Sequence, residues 1–207
     1  MVTELVFILD KSGSMAGLEA DTVGGFNSML KKQLAEEGEV NVTTILFSDE
    51  SELLHDRFSI TSIRPLQVAQ YEVGGMTALY DAIAEGIKKV ANVQRYTKES
   101  SKVIFVISTD GEENASRKYN RQKIKSLIEA KQEQGWEFLF LGANIDAILA
   151  ATSIGIRQES AVEYLADSIG TEKNFAAVSD AISYMRKGKN LDVSWKNDIE
   201  NDVKARK

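Results

Sequence analysis

Glu4-Leu5-Val6-Phe7-Ile8-Leu9-Asp10-Lys11-Ser12-Gly13-Ser14-Met15 is the stretch that decides the fold. Leu5 to Leu9 make an apolar run of strand length, and it stops at an aspartate followed by a short Ser/Gly loop. A helical period comes next, over residues 18–37, with Val23, Phe26, Met29, Leu30 and Leu34 on one face and Gly38 ending it. A later run ends the same way. Residues 103–108 are apolar up to Ser108-Thr109-Asp110-Gly111, and a strand without polar alternation belongs to a sheet covered on both faces.

The rest of the chain fills in around these two strands. Residues 40–47 are rich in β-branched side chains and read as a strand. Residues 53–60 form another, too close behind for a crossover helix, so the pair is an antiparallel hairpin at a sheet edge. Residues 78–93, 121–134, 147–152 and 172–187 have helical period, and residues 137–141 and 161–165 have strand character. The expected architecture is an α/β three-layer sandwich. It has a mostly parallel central sheet, one antiparallel edge strand and right-handed crossovers. No internal repeat is present. Residues 1–187 are read as the domain. Residues 188–207 are read as a charged C-terminal tail or a weakly docked helix in which Trp195, Ile199 and Val203 form a narrow stripe. Since the core elements precede residue 188, truncation after Lys187 is expected to leave a folded domain.

Composition removes several function classes. The 207 residues are 43% hydrophobic and 27% charged, which suits one large domain with its own core. With no cysteine, the chain has no disulfide, thiolate metal site or cysteine nucleophile. A net charge of -6 argues against a nucleic-acid partner, which calls for a basic face. No apolar run approaches the roughly 18 residues of a membrane helix. Met1 leads almost directly into the first strand without a basic segment or cleavage site. The expectation is a cytoplasmic protein with no membrane partner.

Open parallel sheets bind ligands beyond the C-terminal ends of their strands, where successive connections leave in opposite directions. Asp10 and Asp110 both stand at such ends. If their strands are neighbours, the two carboxylates converge on one crevice. Ser12 and Ser14 alternate in one tight loop, so both hydroxyls can point the same way, with Gly13 allowing the turn. Gly74-Gly75-Met76-Thr77 runs into the helix at Ala78, with Thr77 at the N-cap position. Two carboxylates and three hydroxyls are hard oxygen donors. They suit Mg2+, Mn2+ or Ca2+ and do not suit Zn2+ or Cu2+.

Asp10-x-Ser12-x-Ser14, then Thr77, then Asp110 resemble the metal-ion-dependent adhesion site of the von Willebrand factor type A domain family. The resemblance covers residues 4–187 and fills all five positions. It implies that Ser12, Ser14 and Thr77 bind the ion through hydroxyls. Asp10 and Asp110 would bind directly or through water, with their strands side by side. It also implies a protein partner that presents a Glu or Asp to the metal, without catalysis.

The rival reading is a metal-dependent phosphoester hydrolase. An aspartyl nucleophile at Asp10 calls for a second carboxylate two residues on, where Ser12 stands, and no phosphate loop is present. His55, the single histidine, falls in the edge strand, away from the motif loops. Asp49, Glu50, Glu52, Glu112 and Glu113 form either an acidic rim or a solvated loop.

Overall fold

The computed structural model describes residues 2–97 and 101–207. Its strands are β1 (Val2–Asp10), β2 (Val40–Phe47), β3 (Ser51–Ser59), β4 (Ser101–Thr109), β5 (Glu137–Ala143) and β6 (Ala161–Tyr164). Its helices are α1 (Glu19–Leu34), α2 (Leu79–Thr97), α3 (Arg121–Glu133), α4 (Ala147–Ser153), α5 (Ser168–Arg186) and α6 (Asn197–Arg206). The sheet order is β3-β2-β1-β4-β5-β6, parallel except for β3. The expected three-layer arrangement is therefore present. No helix among the described residues is long and apolar enough to cross a membrane.

Strand periodicity builds the two cores. Side chains along β1 alternate between faces. Leu5, Phe7 and Leu9 join one cluster with Phe26 and Met29 of α1 and Phe175, Val178 and Ile182 of α5. Val6 and Ile8 join the other with Ile83 and Ile87 of α2 and Ile124 and Ile128 of α3. The α1–α5 contact needs a residue without a side chain. A Cβ added at Gly25 would lie 2.2 Å from the Phe175 ring.

β3 is an irregular edge. Its pairing with β2 shifts register on both sides of Thr44, and Arg57 takes a left-handed φ of 53°. The Arg57 guanidinium is held by Glu4 at 3.0 and 2.7 Å.

α5 begins at Ser168, a turn earlier than the apolar pattern suggests, because the Asp167 side chain caps the Gly170 N–H. After α5 the chain forms a short 3-10 turn (Val193–Lys196) and then α6, which lies against β6 and α5. Ile199 and Val203 are buried. The Trp195 indole N–H donates to the Glu159 carbonyl at 2.9 Å. Lys196 is only 6% exposed; its ammonium reaches the carbonyls of Ala161 at 2.8 Å and Gln158 at 3.2 Å. Arg206 bridges Asp167 at 2.6 Å and also pairs with the buried Asp202.

These contacts dock the segment after Lys187 onto the domain, so its removal, though still expected to leave a folded domain, costs stability: buried apolar surface and a buried ammonium lie beyond Lys187. Exposing the sites of Ile199 and Val203 forfeits roughly 1.5–3 kcal/mol for each side chain. Truncation after Lys187 is thus expected to lower the melting temperature by on the order of 10 °C, measurable by circular dichroism. An unchanged melting temperature would show that the helix adds no stability.

Candidate metal centre

β1 sends its connection through α1 to β2 on one side, whereas α2 leads to β4 on the other. The chain thus reverses its winding between β1 and β4, the place where an open sheet leaves a crevice. Leu9 pairs with Ser108, which brings Asp10 level with Thr109 and close to Asp110. Three loops meet there. Backbone bonds stitch them: Gly13 N–H to Gly75 C=O at 3.0 Å, Gly74 N–H to Lys11 C=O at 2.9 Å, and Ala78 N–H to Ser48 C=O at 2.8 Å. Gly75 has a φ of +81°, and a Cβ there would meet the Asp49 carboxylate at 2.0 Å, so this turn requires glycine.

The five side chains singled out from the sequence come together. The Ser12 and Ser14 hydroxyl oxygens are 3.1 Å apart. The Ser14 hydroxyl donates to Asp110 Oδ1 at 2.6 Å, and the Ser12 N–H donates to Asp10 Oδ1 at 2.7 Å. Thr77 Oγ1 and Ser14 Oγ lie 3.1 and 3.5 Å from where a Cβ on Gly111 would stand, so both face the same small space. Thr77 is not the helix N-cap. α2 starts at Leu79, and the Thr77 backbone is instead tied to the loop after β4. Its N–H donates to Asn114 Oδ1 at 2.9 Å and its C=O accepts from Asn114 and Ala115.

Other residues carry the site without any reading from sequence having given them a role. The Thr109 hydroxyl donates to Asp10 Oδ2 at 2.5 Å. Its place beside Asp110 in the Thr-Asp-Gly sequence was the available signal. The buried Tyr71 phenol donates to the Asp10 carbonyl oxygen, a contact from a loop with no local sequence signature. Burial pushes the Tyr71 phenol up, and pushes Tyr164 up to about 12. The five acids considered as a rim are partly committed elsewhere. Glu52 pairs with Lys11, Asp49 accepts the Met76 N–H, and Glu113 accepts the N–H groups of Tyr80, Ala115 and Ser116.

Asp10 is 1% exposed and Asp110 4%. Burial holds both carboxyl groups above the usual carboxylate range, against the hydrogen bonds from Ser12, Thr109 and Ser14. Asp110 Oδ2 is buried and has no hydrogen-bond partner among the described residues. A buried anionic oxygen left this way costs free energy unless something compensates it. No group of three or more His, Asp or Glu side chains among the described residues is placed to hold a metal ion. An ion at this place would therefore be held by two carboxylates and hydroxyls.

The von Willebrand factor type A domain model matches residues 4–187. The chain belongs to that family. Comparison with curated protein sequences finds no match. Solved structures give likeness of fold at low identity. The mussel byssus proximal thread matrix protein 1, with its MIDAS motif occupied by zinc, is 15% identical with a TM-score of 0.62, over 86% of this chain and 44% of that one. The chain thus spans less than half of the mussel protein. The manganese-loaded TRAP protein of Plasmodium vivax is 17% identical with a TM-score of 0.58, over 82% and 70%. The von Willebrand factor domain of the type V pilus tip protein Mfa5 from Porphyromonas gingivalis is 11% identical with a TM-score of 0.61, over 88% and 95%.

The raised carboxyl groups set a pH dependence for the metal-free protein. A carboxyl group with a raised folded pKa binds its proton more tightly in the folded state. Its contribution is full below the unfolded value of 3.8 and is lost as pH rises through the folded value. Asp110→Asn removes the ionisation. It is expected to raise the melting temperature in EDTA at pH 7 by a few degrees and to flatten the loss of stability above pH 4. A variant less stable than wild type at pH 7 in EDTA would contradict this account.

Proposed function

We propose that this domain is a divalent-metal-dependent protein-interaction module, its ion held by Asp10, Ser12, Ser14, Thr77 and Asp110. The partner is a protein that presents a Glu or Asp side chain to the ion. The observation that carries this reading is the unpartnered Asp110 Oδ2, buried at a point where a second carboxylate and three hydroxyls converge. Mg2+ is the ion we favour, with Mn2+ and Ca2+ as alternatives, because the donors are all hard oxygens. Donor type alone does not exclude zinc, since the mussel protein holds zinc at its MIDAS motif.

Charge supports the use as well as the site. Two carboxylates balance a divalent ion and leave no excess negative charge, so the bound ion still attracts a further carboxylate. Bound, it supplies electrostatic attraction for that carboxylate. The chain's own residues do the rest: Thr109 and the Ser12 N–H orient Asp10, Ser14 orients Asp110, and Asn114 fixes Thr77. Non-catalytic action is part of the proposal. The one histidine, His55, pairs opposite Thr44 in the middle of the edge strand β3, and its Nδ1 is 3.0 Å from the Thr44 hydroxyl. It is three strand positions short of Phe47, which lies level with Asp10, and so offers no base to the loops.

Calorimetric titration with Mn2+ or Mg2+ is expected to show one site. Thr77→Ala weakens it by removing a neutral ligand, and Asp110→Ala abolishes it. Undiminished metal binding in folded Asp110→Ala protein would refute the ligand set.

Turnover of phosphomonoesters or nucleotides with Mn2+ is expected to stay at background. Metal-dependent hydrolysis lost in Ser12→Ala would favour the phosphoester hydrolase instead.

A further inference from the structure

Beside the candidate metal centre runs a groove of about 640 Å3 whose two walls have opposite charge. It begins at Ala78, the residue after Thr77. One wall is the turn between β2 and β3, with Asp49 and Glu50 exposed. The other is the loop before α3, with Arg117 and Lys118 exposed. The outer face of α2 forms the floor.

The cationic wall is held in place despite lacking secondary structure. Asp81 accepts the backbone N–H groups of Arg117 at 2.9 Å, Lys118 at 3.1 Å and Tyr119 at 2.8 Å. Glu113 accepts those of Ala115 at 2.9 Å and Ser116 at 2.7 Å. The Lys88 ammonium sits over the Tyr119 ring at 5.0 Å, which braces the same loop from α2. Two carboxylates are thus spent on fixing a loop whose own side chains, Arg117 and Lys118, have no ion-pair partner among the described residues. On the facing wall, Glu50 has none either. Acidic and basic side chains without ion-pair partners among the described residues thus line one groove, in a chain of net charge -6. The groove is open, and charged side chains stand along it, unlike the largely apolar enclosure that suits a small ligand.

An extended chain turns successive side chains to opposite sides. We propose that the groove receives an extended segment of a protein partner in which acidic and basic side chains alternate, the acids facing Arg117 and Lys118 and the bases facing Asp49 and Glu50. This deepens the protein-interaction reading and rests on it for the partner being a protein, but the contacts themselves do not involve the ion. Exposed ion pairs are weak singly and fade with salt, so several in register give a preference of about three- to tenfold at low ionic strength.

The test uses two labelled decapeptides of equal composition, one alternating Glu and Lys and one with five Glu followed by five Lys. Fluorescence anisotropy is read with the full chain in Mn2+ and in EDTA. The alternating peptide is expected to bind about three- to tenfold more tightly in both. The preference should vanish in the Arg117→Glu/Lys118→Glu double variant and, from the other wall, in Glu50→Lys. Circular dichroism checks that each variant is folded. Equal binding of the two peptides to wild type, or a preference that survives both variants, overturns the proposal. Parallel calorimetry with Mn2+ separates the two readings: an intact peptide preference without Mn2+ binding supports the groove and sinks the metal site alone.

Discussion

Two carboxylates almost out of reach of water, at the ends of adjacent parallel strands, are the constraint around which this molecule is arranged. Removing an anion from solvent costs several kcal/mol unless dipoles or counter-charge replace the water. Nearly every local feature of the crevice supplies part of that replacement. The tight Ser/Gly turn offers Asp10 a backbone N–H, Thr109 offers it a hydroxyl, and Ser14 offers one to Asp110. Tyr71 ties down the Asp10 backbone from beneath. The compensation stops one oxygen short, at Asp110 Oδ2. Stability is spent at the place where an ion would return it, as expected of a functional site on a well-packed scaffold.

Much of this was legible from the residues. Strands buried on both faces show as apolar runs, and β1 and β4 lie where those runs lie, while β2 showed through its β-branched residues. The antiparallel edge followed from a connection too short for a crossover. Four of the five candidate ligands were singled out by strand-end logic, since Asp10, Ser12, Ser14 and Asp110 stand at or just beyond the ends of β1 and β4. Thr77 entered through a mistaken position. It looked like an N-cap, yet the loop after β4 fixes it through Asn114 rather than the helix it precedes.

What stayed unreadable shares a cause. Asp81 reaches residues 117–119, and Tyr71 reaches back to Asp10, through bonds that span tens of residues and leave no local pattern. Glu113 looked like one more acid on a rim and is in fact a backbone acceptor for its own loop. Lys196 sits in a run of mixed charge, and nothing in that run signals an ammonium inserted under the last strand to satisfy two carbonyls. Charged residues that serve as internal fasteners cannot be told from solvated ones until their partners are in view.

The two margins of the sheet are treated differently. At β6, helix α6 lies alongside the final strand. At β3, the strand is interrupted by register shifts and by the left-handed Arg57, whose guanidinium is drawn back onto Glu4. A flat, regular margin is a template on which another chain can continue the ladder, whereas a bulged one mismatches an incoming strand. Crowded copies of this domain are thereby denied a route to amyloid-like growth through β3.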